Sequence, residues 1–101
     1  PISSMKEKEN KYKLEKLGRI MPEENNGIGV STVLTSDCGY ETALLDDNGA
    51  HPVERYETRE EAIKGHEKWV EFAKDENNKI ITKLWILGEE EQVTLKRVLT
   101  P

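Results

Sequence analysis

The chain has 101 residues, 35% apolar and 35% charged, with 20 acidic and 15 basic side chains for a net charge of −5. A chain this short supports one small core, which excludes a two-domain enzyme, a barrel around a large central pocket and a solenoid of several repeats. No apolar run approaches the roughly 18 residues of a membrane-spanning helix, the single Cys38 offers no internal disulfide, and the chain reads as soluble and intracellular.

The charge is unevenly placed. Residues 1–21 hold six basic and three acidic side chains, residues 22–78 five and fourteen, and residues 79–101 four and three. A basic arm thus precedes an acidic body and is expected to stay solvated or to lie on an acidic surface. Nucleic acid is disfavoured, because the lysines alternate with Glu7, Glu9 and Glu15 and only Tyr12 is there to stack.

From Met5 to Met21, Leu14, Leu17 and Met21 recur at helical spacing, which predicts a short amphipathic helix ended by Pro22 and the loop to Gly27. Gly29–Thr35 alternates as a β-branched strand, Ser36–Gly39 is a turn, and Tyr40–Leu45 completes a hairpin. Asp46-Asp47-Asn48-Gly49 is a second turn, His51-Pro52 falls in the loop after it, and Val53–Tyr56 forms a short third strand. Thr58-Arg59-Glu60-Glu61 is a capping box that opens a helix from about Arg59 to Lys74. Its buried arc is Ala62, Ile63, His66, Trp69, Val70 and Ala73, with Phe72 beside it. Gly65 inside that helix costs roughly 1 kcal/mol against Ala, which points to a close approach to the sheet. Lys79–Leu87 and Gln92–Leu99 form a last hairpin whose first strand is apolar on both faces.

The expected architecture is an α+β sandwich: an antiparallel sheet of about five strands, in the order helix-β-β-β-helix-β-β, with the long helix on one face. Residues 1–26 form a basic N-terminal helix and linker, and residues 27–101 a single domain. The second apolar face of the last hairpin needs a cover, from the N-terminal helix or a second protomer.

Three segments carry a family resemblance: Val30-Ser31-Thr32-Val33, Tyr40-Glu41-Thr42, and the run from Glu54-Arg55-Tyr56 through Thr58, Glu60-Glu61-Ala62 to Gly65-His66. They resemble a group of small proteins encoded by tailed phages and prophages, with "V-S-T-V", "[FY]-E-T" and "E-R-Y-x-T-x-E-E-A-x-x-G-H" segments. The likeness covers about residues 26–72. It departs at Thr35–Gly39, where that family has a longer Gly- and Asp-containing stretch with a His. The resemblance implies a phage or prophage origin and brings no activity with it. A second, local likeness is to the HicB-type antitoxin domain, through its "T-x-E-E-A" helix start.

His66 is the most tempting reactive residue, weighed against a half-buried histidine hydrogen-bonded between helix and sheet. His51, Cys38 and Asp37 lack the paired spacing of a zinc site. The Asp46–Gly49 turn lacks the ligand pattern of a calcium loop. Gly27-Ile28-Gly29 precedes a strand, so it is not a phosphate loop. Trp69 reads as core, and Trp85 as core or interface anchor.

The expectation is a non-catalytic accessory protein in the host-cell cytoplasm, without cofactor or metal. It binds a host or phage protein, in counter-defence by inhibition of a host immune factor, and self-associates, a dimer being favoured. Two alternatives stand beside it: a binder of a small anionic ligand such as a nucleotide signal, and a HicB-like antitoxin or nucleic-acid-binding module. The candidate partner or ligand contacts are Trp85, Lys83, Arg97, Arg55, Arg59 and His66.

Overall fold

The computed structural model describes residues 13–36, 39–85 and 88–98. Strands β1 (Lys13–Ile20), β2 (Gly29–Thr35), β3 (Tyr40–Asp46) and β4 (Gly49–Tyr56) form an antiparallel meander in the order β1-β2-β3-β4. Helix α1 (Arg59–Lys74) lies across one face of it, and β5 (Ile80–Leu84) pairs with β6 (Glu90–Thr94) in a separate two-stranded sheet beside β4. The α+β class and the antiparallel pairing hold, while the expected element order is matched only roughly. The single five-stranded sheet is replaced by a four-stranded and a two-stranded one.

The N-terminal helix is the main correction. Residues 13–20 are a strand, paired with β2 through two register shifts, between Lys13 and Glu15 and between Lys16 and Gly18. A bulge inserts one residue and lets positions three apart share a face, so it produces the apolar spacing that a helical turn also produces. Residues 1–12 lie outside the described part of the chain. Strand β4 starts at Gly49, so His51 and Pro52 are in a strand and not in a loop. The last hairpin is shorter than expected, and Ile86 and Leu87 fall outside the described residues.

The core gathers Ile28, Val30, Leu44, Val53, Ala73, Ile81 and Leu95, with Ile20, Trp69, Val70, Phe72 and Val93 packed around it. Trp69 meets Phe72 edge to face at 5.0 Å. The helix faces the sheet with its smallest residues, Ala62, Gly65 and Ala73, and Ile63 turns out to 36% exposure instead of entering the core. At the N-cap, the Thr58 hydroxyl accepts from the Glu61 amide (3.2 Å) and donates to the Glu61 carboxylate (2.9 Å).

The other end of α1 has no glycine cap. The last carbonyls of a helix need outside donors, and side chains of Asn25, Asn26 and Arg97 from distant segments, with Asn78 just beyond the helix, supply them. Asn25 reaches Val70 O (3.3 Å), Asn78 Phe72 O (2.9 Å), Arg97 Ala73 O (2.8 Å) and Asn26 Lys74 O (3.1 Å). The same guanidinium also binds Asn26 O, Asp75 O and Asn78 O. Residues 95–98 are held in place by Leu95 N to Lys79 O, Lys96 N to the Asp46 carboxylate, Asp47 N to Lys96 O and Val98 N to Gly27 O. Arg97→Met is expected to lower stability by about 2 kcal/mol, since bonds from a charged donor contribute most. A urea titration checks this through a lower midpoint at unchanged slope. Lys96→Met, which removes only an exposed ion pair at 3.5 Å, should leave the midpoint in place.

Candidate functional site

All three segments behind the family resemblance meet between the sheet and α1. Register puts Gly18, Thr32, Thr42 and Glu54 in one row across the four strands. The register shift after Thr42 makes Val53 an extra residue in β4, so Val53 is buried in the core while Glu54 next to it also reaches the helix. The helix lays Gly65, His66, Lys68 and Trp69 over this row. Two glycines make the approach possible: a Cβ on Gly18 would stand 2.8 Å from His66 Nε2, and a Cβ on Gly65 would overlap the Tyr56 ring and hydroxyl.

The hydrogen bonds form one chain. His66 Nδ1 is 2.7 Å from Thr32 Oγ1, which is 2.6 Å from Thr42 Oγ1. Tyr56 OH lies 3.1 Å from Thr42 Oγ1 and 2.9 Å from Glu54 Oε1. The same carboxylate oxygen takes Lys68 Nζ at 2.7 Å and Trp69 Nε1 at 2.9 Å. Thr32 and Thr42 are fully buried, so every proton on this path has to be placed.

The placement has one solution. Burial raises the Glu54 pKa, but the bonds from Lys68, Trp69 and Tyr56 outweigh that and lower it, so Glu54 is an anion at neutral pH. A carboxylate only accepts, and the single phenolic proton of Tyr56 goes to it, the closer and charged acceptor. Thr42 must then donate to Tyr56, and Thr32 to Thr42. That leaves Thr32 as acceptor for His66, whose proton therefore sits on Nδ1. Burial raises the Tyr56 pKa, and its bond to Glu54 adds to that, which keeps the phenol protonated. Burial also lowers the His66 pKa below its ordinary 6.5, against a small opposing pull from Glu67, so His66 is neutral at pH 7. It is a donor that ties α1 to β2.

The acid response follows from these signs. A lowered histidine pKa stabilises the fold fully above the unfolded value near 6.5, and this is lost as pH falls from there through the folded value. The lowered Glu54 pKa acts in the same direction, in a separate window that opens below the ordinary 4.5. Stability measured by urea titration is expected to decline already as pH falls below the ordinary histidine value of 6.5, ahead of the carboxylate window. His66→Asn, which keeps a donor to Thr32, should flatten that upper step and leave the lower one.

The candidate contacts are dispersed. Trp85, Lys83 and Arg55 come together: Lys83 Nζ sits 4.4 Å from the Trp85 ring centroid, and Arg55 binds both Trp85 O (3.3 Å) and Glu41 (3.0 Å). Arg59 is the first residue of α1, while the Arg97 guanidinium is held by carbonyls at the helix's other end. Sixteen residues of helix put roughly 24 Å between those ends, so the four cations do not share a pocket. His66 belongs to the hydrogen-bonded seam. His51 is buried and bonded to the Asp46 carboxylate at 2.9 Å. No group of three His, Cys, Asp or Glu residues able to hold a metal occurs among the described residues, and Asp37 and Cys38 lie outside them.

An open cleft of about 270 Å³ lies over the Glu54 end of the seam, with Lys64, Lys68 and Glu61 at its rim. Its carboxylates and ammonium groups balance, and Glu54 already accepts three bonds. Sequence reasoning missed Gly18, Thr32, Thr42, Glu54 and Tyr56 as one unit. The available signal was Thr32 and Thr42 at inward positions of two adjacent strands, where apolar residues are the rule. No family model, no curated protein and no solved structure matches this chain.

Proposed function

We propose that this protein is a non-catalytic binding protein that engages a protein partner through its β5–β6 hairpin, with Trp85 as the anchor. The observation that carries this reading is Trp85 itself, a tryptophan left 42% exposed on a firmly mounted hairpin. Its carbonyl accepts from Arg55, its amide donates to Glu89 O at 2.9 Å, and Lys83 stands over its ring. Ile81 fixes the hairpin to the core from the inner face, while Ile80 on the outer face is 59% exposed. Rigid, half-desolvated aromatics of this kind dominate binding energy at protein interfaces. The resemblance to small tailed-phage and prophage proteins supports a host–phage setting, with inhibition of a host immune factor as the role.

The test is affinity capture from host or infected-cell lysate, read by native mass, with wild type, Trp85→Ala and Ile63→Ala side by side. A stoichiometric protein partner held by wild type and Ile63→Ala and weakened roughly 30-fold or more by Trp85→Ala supports the reading. A partner indifferent to Trp85→Ala, or no stoichiometric partner, contradicts it.

A further inference from the structure

The sequence contains two Asn-Gly pairs, Asn26-Gly27 and Asn48-Gly49. Such a pair is chemically labile, because glycine has no Cβ to shield its amide nitrogen, which can close on the side-chain carbonyl carbon of the preceding asparagine. The fold treats the two pairs in opposite ways. Asn26 is held: its side-chain amide donates to Lys74 O (3.1 Å), its carbonyl accepts from Arg97 (2.9 Å), and the Gly27 amide that would attack donates to Pro22 O (2.8 Å). Gly27 is also buried, and a Cβ there would stand 2.8 Å from both Arg97 Cβ and Val98 O. At the β3–β4 turn, Asn48 and Gly49 are both exposed, and a Cβ on Gly49 would meet nothing within 4 Å. The Asn48 side-chain amide has no hydrogen-bond partner among the described residues; only the main-chain N–H of that residue reaches Asp46. Gly49 pairs with Asp46 on the last rung of the β3–β4 ladder, and ladder ends open at the least cost.

We propose that Asn48 is a self-modification site, at which the folded chain converts a side-chain amide into a carboxylate. The Gly49 nitrogen attacks Asn48 Cγ: the N–Cγ bond forms, the Cγ–Nδ2 bond breaks, and Nδ2 leaves as ammonia, taking up through solvent the proton that the Gly49 amide gives away. Water then opens the cyclic imide at one of its two carbonyls. Opening at Cγ leaves aspartate on the normal backbone, and opening at the main-chain carbonyl leaves isoaspartate, with the main chain running through the side-chain carbons. The position makes the product consequential. Asn48 N and His51 Nε2 share Asp46 Oδ1 (both 2.9 Å), Asp46 Oδ2 holds Lys96 N (2.9 Å), and Asp47 N donates to Lys96 O (2.8 Å). This turn is thus the seat of residues 95–98, whose Arg97 caps α1. Either product adds a carboxylate beside Asp46 and Asp47, which like charges disfavour. Isoaspartate also lengthens the main chain by a carbon, so the turn no longer closes the Asp46–Gly49 rung in the same register.

Peptide mapping by mass spectrometry during incubation at mildly alkaline pH reads this directly, with the same chain in guanidinium chloride alongside. In the folded protein Asn48 should gain the mass of the acid at least about tenfold faster than Asn26, while in the unfolded chain the two should react at comparable rates. Asn26 converting as fast as Asn48 in the folded protein overturns the inference. So does a folded chain inert at both pairs when the unfolded chain reacts at both. The isoaspartate form, separated by chromatography, should show a lower urea midpoint than Asn48→Asp, which carries the same charge on an unaltered backbone. Equal midpoints would overturn the claim that the modification loosens the turn.

Discussion

Gly65→Ala is expected to destabilise the protein by about 2 kcal/mol, although the same change in an exposed helix would stabilise it by about 1 kcal/mol. The added methyl falls on the hydroxyl and ring of Tyr56, both packed in the interior, so α1 must lift from the sheet or Tyr56 must leave its bond with Glu54. Overpacking of this kind costs about 1–3 kcal/mol or more before the propensity gain is subtracted. For a chain of this size the melting temperature should fall by roughly 8–16 °C. Tyr56→Phe removes the hydroxyl, the nearest of the overlapping atoms. In a double-mutant cycle the two changes should therefore cost less together than the sum of the single costs. A Gly65→Ala variant that melts higher than wild type would mean that the helix stands further from β4 than described.

Glu54→Leu should cost still more, about 3 kcal/mol, because one carboxylate oxygen accepts from Tyr56, Trp69 and Lys68 and a buried donor without a partner costs about 1–3 kcal/mol. Lys68 is exposed and can turn to water. Tyr56 OH and Trp69 Nε1 lose the acceptor they share on Glu54. Glu54→Gln keeps a carbonyl oxygen at the same point, preserves the direction of every proton in the chain, and should cost about 1 kcal/mol for the lost charge. Thermal melts of the two variants separate acceptor from charge. Equal losses for Leu and Gln would show that the negative charge, not the hydrogen-bond order, holds the seam.

The elements that the sequence specifies locally are the ones that it made legible. The capping box at Thr58 and the apolar arc from Ala62 to Ala73 sufficed for α1, and the β-branched alternation from Val30 sufficed for the β2–β3 hairpin. Strand β1 was misread because its identity depends on a partner strand and on two bulges, and Leu14, Leu17 and Met21 carry the same spacing in a helix. Glu54 was invisible as a seam residue because simple alternation from Val53 points it to water, and only the irregular pairing after Thr42 turns it inward. Arg97 looked like a free cation, yet its acceptors include Asn26 O, 71 residues away in sequence. His66 drew attention for chemistry, and the residues that define its protonation lie on three strands that no local pattern ties to it.

The central claim is that the residues most suggestive of a reactive site form a structural seam in which His66 is a neutral Nδ1–H donor. Nitrogen-15 NMR of the imidazole groups, with His51→Asn used to assign the two histidines, tests it most directly. The prediction is a proton on His66 Nδ1 and none on Nε2 at about pH 7.5, with a titration midpoint below the ordinary 6.5. A proton on Nε2, or a midpoint above 6.5, would contradict the account and return His66 to the list of groups available for chemistry.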